Sequence, residues 1–142
     1  MQKINFKIIF IFSLLIIIGF CIVFYYIELA NTIIITKDNY IEILRNCHDN
    51  IDDFVGKKIV VSGYVYLQDN FSFNHFVIAK NLVVMPGGEP YVVGFLCENL
   101  TDYSFYSNDT IRIKGKIVKG NFNGIDYPII QFKNFEFVPY KT

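Results

Sequence analysis

Histidine and cysteine are scarce in this sequence: its 142 residues include two histidines, His48 and His75, and three cysteines, Cys21, Cys47 and Cys97. Neither histidine has a partner at the His-x-x-x-His spacing that sets two imidazoles on one helix face, which excludes the helical zinc-hydrolase motif. Cys47 and His48 are adjacent on an expected helix and point in different directions. With so few cysteines there is no disulfide framework either. Gly-x-Ser-x-Gly, the phosphate loop and the dinucleotide fingerprint are missing. The acidic residues lie scattered through turns, with no close pair in a strand to serve as general acid and base. These absences leave no catalytic residue, no metal ligand set and no cofactor to assign, and the expectation is a protein that is not an enzyme.

Basic residues are missing from one long stretch. Ile8 to Ile27 is 20 consecutive uncharged positions, and a helix of that length rises roughly 30 Å, the depth of a bilayer's hydrocarbon core. The segment reads as an uncleaved transmembrane anchor, because a signal peptide has a shorter apolar core and a small-x-small cleavage site, and Glu28 two positions before Ala30 spoils such a site. Lys3 and Lys7 precede it and Lys37 is the next basic residue, so the positive-inside bias puts the N-terminus in the cytoplasm and the remainder outside. All 13 acidic residues stand at or beyond Glu28, which makes the exported part net acidic. A nucleic-acid partner, which requires a basic face, is not expected.

Beyond the anchor the pattern changes twice. Thr36 or Asp38 serves as an N-cap, and Tyr40, Ile43, Leu44 and Cys47 fall at i, i+3, i+4 and i+7, one apolar stripe of a short helix. Asp52, Asp53 and Gly56 mark a turn. From Lys57 the period is two, rich in β-branched and aromatic residues. Strands are expected at 58–66, 75–80, 90–98, 110–120 and 128–140, with Asn123-Gly124 as a hairpin turn. Gly63 and Gly115, midway along the first and fourth strands, suit the corners of a small curved barrel. The fold class is therefore all-β with a small α contribution, a five-stranded OB-like barrel. Its organisation is a cytoplasmic N-terminus at 1–7, an anchor at 8–28, a linker at 29–37, a helix and turn at 38–56 and the barrel at 57–140. No helix is expected between the third and fourth strands, which leaves the helix at 38–47 to cap the barrel.

Three features invite a functional reading. The run Met85-Pro86-Gly87-Gly88-Glu89-Pro90 interrupts two apolar strands, and Met85, Gly87, Gly88 and Glu89 form a candidate ligand or partner loop. Arg112, Lys114 and Lys116 alternate along one strand face, either as an anion or lipid-headgroup stripe or as lysines that discourage edge pairing. Cys47 and Cys97 form a disulfide in an oxidising location, or else serve as two small buried hydrophobes. A composite site of His48, His75, Cys97 and Glu89 would need the fold to gather it. The aromatics Tyr64, Tyr66, Phe71, Phe73, Phe76, Tyr103, Phe105 and Tyr106 fill a core and an interface, or stack on bases or sugars.

Several short features lie together over residues 38 to 140: Phe54-x-Gly-Lys, Gly63-x-Val-Tyr, Phe76-Val-x-Ala, Gly115-x-Ile and Asn123-Gly-x-x-x-Pro. With them the chain resembles the C-terminal domain of the YcgQ-like family of two-component membrane permease subunits. The resemblance implies a bacterial membrane protein working beside a separate multi-spanning permease. It also implies that relatives carry a Cys-Cys-Ala-Ala-Asp run where Met85 to Glu89 stands, so this loop keeps the family's place without its thiols. The expected function is an extracytoplasmic accessory subunit of such a complex. The alternatives are a stand-alone module binding a small ligand or a metal ion and, on fold analogy alone, a nucleic-acid-binding domain.

Overall fold

A computed structural model describes residues 6–83, 86–122 and 124–139. The chain divides into two compact units, the first ending at Thr32 and the second starting at Ile33. In the first, helix α1 (Phe6–Ala30) contains a 19-residue stretch, Phe10–Glu28, long and apolar enough to cross a membrane. Its large side chains from Phe10 to Ile27 are exposed around the whole circumference, as expected of a helix solvated by lipid rather than by a protein core. Thr32 donates its hydroxyl to Glu28 O at 2.9 Å and occupies one of the carbonyls left over at the helix end.

The second unit is a closed barrel. Strands β2 (Lys58–Tyr66), β3 (His75–Leu82), β4 (Tyr91–Asn99), β5 (Thr110–Phe122) and β6 (Ile125–Phe137) follow the order β2-β3-β4-β6-β5, and a further β2–β5 pairing closes the circle. All neighbours are antiparallel except β4 and β6, which run parallel from Leu96↔Ile129 to Asn99↔Phe132. This is the five-stranded OB arrangement. A short strand β1 (Thr32–Ile34) lies beside β2, where Ile35 N–H donates to Val60 O at 2.9 Å. Pro128 sits in β6 just before the pairing with β4 begins, so its missing N–H takes nothing from that ladder.

The alternation in the sequence becomes the inside of the barrel. Ile59, Val61 and Val65 of β2 and Ile111, Ile113 and Ile117 of β5 are wholly buried, with Phe76, Ile78, Phe95, Cys97, Ile130 and Phe132 from the other strands. Between Lys114 and Gly115 the register against β6 shifts, from Lys114↔Asn134 to Gly115↔Phe132. The extra residue, Lys133, reverses the parity of β6 beyond it. Phe135 and Phe137 thereby join Tyr103 and Phe105 in one aromatic cluster, with ring centroids 4.9 to 5.9 Å apart.

Two different devices close the two ends. Helix α2 (Tyr40–Asp49) lays its apolar stripe over one end. There Tyr40, 2% exposed, meets Phe95 edge to face at 5.5 Å and donates its hydroxyl to Ile78 O at 3.1 Å. At the other end residues 100–109 form no helix, and Phe105 packs on Phe76 and Phe132. Asn99 organises this plug: its amide donates to Tyr103 O at 2.6 Å, and its carbonyl accepts from the Thr101 amide and hydroxyl.

Some local expectations need correction. The residue before α2 is Asn39, not Thr36 or Asp38, and it makes no side-chain cap. Its amide is committed elsewhere, accepting from Thr36 N–H at 2.7 Å and donating to Ile34 O at 3.0 Å, so it fastens the entering chain. Asp52 and Asp53 stand in a short helix α3 (Ile51–Phe54) rather than in a turn. Lys119 of β5 holds Asp52 at 3.0 Å. Gly56 makes the turn, at φ +88°. Lys114 and Lys116 do not guard an edge, because β5 is bonded on both sides. In the β5–β6 hairpin Gly124 has φ +81°, while its neighbour Asn123 lies outside the described residues.

The barrel corners set the first predictions. A methyl group on Gly63 would stand 2.5 Å from Ala79 O, and one on Gly115 2.6 Å from Gln131 O. Backbone on both sides cannot give way, so Gly63→Ala is expected to cost about 1–3 kcal/mol in thermal denaturation. Tyr40→Phe keeps the ring contact and removes the hydroxyl's bond to Ile78 O, a loss of about 1 kcal/mol in the same measurement.

Candidate functional site

The loop between β3 and β4 is the first place to look. Met85 lies outside the described residues. Pro86 and Gly87 form an exposed turn with Gly87 at φ +78°, a conformation glycine adopts without strain. Gly88 and Glu89 are exposed as well, and a side chain added at Gly87 would meet no atom within 4 Å.

Cys47 and His48 lie on α2, Cys97 in the core on β4 and His75 on β3, so the fold keeps them dispersed. Cys47 of α2 and Cys97 of β4 are both free thiols with no exposed surface, so the disulfide reading is not realised. Cys97 Sγ–H donates to Phe95 O at 3.3 Å, and burial pushes the thiol up to about 12. Burial likewise raises Cys47 to about 11, with Lys57 pulling the other way. His48 is lowered by burial, partly offset by Asp49, and sets its ring edge-on to Tyr127 at 5.5 Å. His75 lies 2.6 Å from Ser72 Oγ and 2.8 Å from Asn74 Oδ1 through Nδ1. Among the described residues no group of three or more His, Cys, Asp and Glu side chains converges as metal ligands would, so the composite site is not assembled there.

The aromatic residues divide. Phe76 and Phe105 belong to the core and its partly buried margin, whereas Phe73 is 98% and Tyr106 72% exposed.

What the barrel does build is a groove of about 600 Å³ on the β5-β2-β3 side, lined by Lys37, Ser62, Gly63, Tyr64, Ala79, Lys80, Asn81, Thr110, Arg112, Val138 and Pro139. Its position follows from the pairing of β2. One edge of that strand is taken by β1 near Val60 and by β3 only from Tyr64 onward, so the chain opens between them. The other edge sets Ser62 opposite Arg112 and Tyr64 opposite Thr110.

The polar groups of the groove are held in place. Arg112 donates through Nε to Ser62 Oγ at 3.1 Å and through Nη1 to Glu136 at 2.9 Å. Tyr64 donates its hydroxyl to Asn81 Oδ1 at 2.7 Å. Lys80 sets its ammonium 4.4 Å above the Tyr40 ring. Its pKa is lowered, first by burial and then by the positive charge of Lys37. A second shallow depression continues from here along Tyr64, Tyr66, Val92 and Asn108.

Of the residues the sequence marked for a function, Arg112 and Tyr64 reach this groove, with Tyr66 beside it, and the corner glycine Gly63 lines it too. Lys37, Ser62, Lys80, Asn81 and Thr110 were missed. Lys80 did carry a signal, since it follows Phe76 and Ile78 at the same parity and so places a cation where the pattern calls for an apolar residue.

The buried thiols give a pH prediction. A thiol held neutral in the fold but near 9 in the unfolded chain contributes stability that is intact below pH 9 and is lost as pH rises towards 11 and 12. The melting temperature is expected to fall over that window, and less so in Cys47→Ala measured against its own neutral-pH value. In a Cys21→Ser background, a maleimide at neutral pH is expected to modify neither Cys47 nor Cys97 until denaturant is added, as read by mass spectrometry.

The search against curated proteins found no match to this chain. Among protein families, the DUF1980 C-terminal domain matches residues 25–141, the whole barrel together with α2, α3 and the last turns of α1. That span exceeds half the chain, and the protein belongs to the DUF1980 family through this C-terminal domain.

Proposed function

We propose that this protein is a single-pass, non-enzymatic accessory subunit that displays its barrel outside the cytoplasmic membrane beside a multi-spanning permease. The observation that carries the reading is the pairing of a helix apolar on every face with a family domain whose match runs from the end of that helix to the end of the barrel. The barrel's interior is filled by its own side chains, which leaves its outer surface as the part that can meet a partner. Its outside supplies exposed aromatics, the apolar Phe73 and Phe137 and the amphipathic Tyr91, Tyr103 and Tyr106, that suit a partner or a headgroup layer. The resemblance to YcgQ-like permease subunits supplies the kind of partner. The charge distribution around the helix supports the orientation.

Two measurements test this. Cross-linking in the native host, followed by mild-detergent isolation of the tagged chain and mass spectrometry, is expected to recover a multi-spanning membrane protein in constant ratio; repeated isolation of the chain by itself would sink the proposal. The orientation is read from Lys133→Cys in a Cys21→Ser background, because the native Cys47 and Cys97 are buried and Lys133 is exposed. A membrane-impermeant maleimide is expected to label it in intact cells. Labelling only after lysis would put the barrel on the cytoplasmic side.

A further inference from the structure

We infer that the groove on the β5-β2-β3 side of the barrel is a binding site for a phosphate-class anion, with Lys37 and Lys80 as its charge-bearing residues and Arg112 as its fixed wall. Three cations line it and no carboxylate does. Glu136 stands behind Arg112 and takes one of its N–H groups, which leaves the guanidinium oriented by two bonds with its remaining donors unspent by them. Lys37 and Lys80 are different. Among the described residues neither has a carboxylate within ion-pair distance, and they repel each other closely enough to weaken the protonation of Lys80.

Two like charges set together without a counter-charge, one of them partly buried and pinned over an aromatic ring, cost stability that a bound anion returns. Neutral donors are also at hand. The Tyr64 hydroxyl occupies Asn81 Oδ1 and leaves the two amide N–H groups of Asn81 outside that bond, and Thr110 adds a hydroxyl. A guanidinium, two ammonium groups and neutral N–H and O–H donors around about 600 Å³ match a tetrahedral, multiply acceptor-bearing anion better than a flat carboxylate. Val138, Pro139 and Ala79 add an apolar margin, which suits an organic phosphate. The same chemistry is offered by a lipid headgroup and by a soluble phosphate compound.

The full chain in neutral detergent micelles is titrated with inorganic phosphate against sodium chloride at matched ionic strength, following the melting temperature. In parallel it is melted in nanodiscs of phosphatidylcholine with and without phosphatidylglycerol. Lys37→Gln is the first variant, since Lys37 is exposed and its loss leaves the packing alone. Lys80→Gln is the second, and Lys114→Gln with Lys116→Gln, on β5 outside the groove, is the control.

A rise in melting temperature with phosphate that weakens at least about tenfold in apparent affinity in Lys37→Gln, and persists in the control, assigns a free phosphate compound. The same dependence seen only with phosphatidylglycerol assigns a headgroup. No rise in either medium, or an equal loss in the Lys114/Lys116 control, overturns the site. Lys80→Gln is expected to abolish the response, and it changes the melting temperature without ligand as well, because it removes both the contact with Tyr40 and the repulsion from Lys37. Lys37→Gln separates the two effects.

Discussion

Closure between β2 and β5 is the constraint on which the rest of the molecule depends. The ladder from Lys58↔Lys116 to Tyr64↔Thr110 joins the first and fourth strands of the barrel across a long separation in the chain. Once it forms, Ile59, Val61, Ile111 and Ile113 have no route to water, and the sheet no longer has a bare edge along that seam. It also fixes what lies outside. The residues alternating with those isoleucines and valines, Ser62, Tyr64, Thr110 and Arg112, come together on one surface. The groove is the outer face of the same pairing that makes the core.

Closing a five-stranded sheet this tightly demands bends, and the bends have chemical requirements. Gly63 and Gly115 sit where a neighbouring strand's carbonyl comes too near for any side chain. The bulge at Lys133 turns β6 over, so that one strand serves the apolar interior at Ile130 and the aromatic plug at Phe135. Among the described residues buried polar groups are few and have hydrogen-bond partners. Asn99 spends both ends of its amide on the loop 100–109, and Tyr40 spends its hydroxyl on Ile78. Each ties a covering element to the barrel, which is how a domain of this size closes both ends without a disulfide.

Uncompensated charge is handled differently on the two sides of the domain. Lys119 stands between Asp52 and Asp126, and such exposed pairs screen one another without creating a site. Lys37 and Lys80 have no such partner among the described residues, and the burial of Lys80 makes the lack costly. A domain of net acidic balance that keeps a basic groove has arranged its charge locally. The net balance of the sequence did not reveal this, because it sums over surfaces that never meet.

The amino-acid sequence by itself determined the apolar span Phe10–Glu28, the strands of the barrel and the glycines at its corners. Those rest on local rules: an uninterrupted run of apolar residues, a period of two, a residue without Cβ. The expected strand at 58–66 matches β2, and the others shift by a few residues at their ends, where pairing partners rather than propensity decide how far a strand runs. Tertiary structure alone decided that Cys47 and Cys97 are separate buried thiols, that β5 is an inner strand, that the loop 100–109 plugs one end, and that Lys37, Lys80 and Arg112 share a groove. Each of these depends on residues distant in sequence being brought to one place, and the single-residue patterns that announce a strand carry no record of which strand will lie beside it.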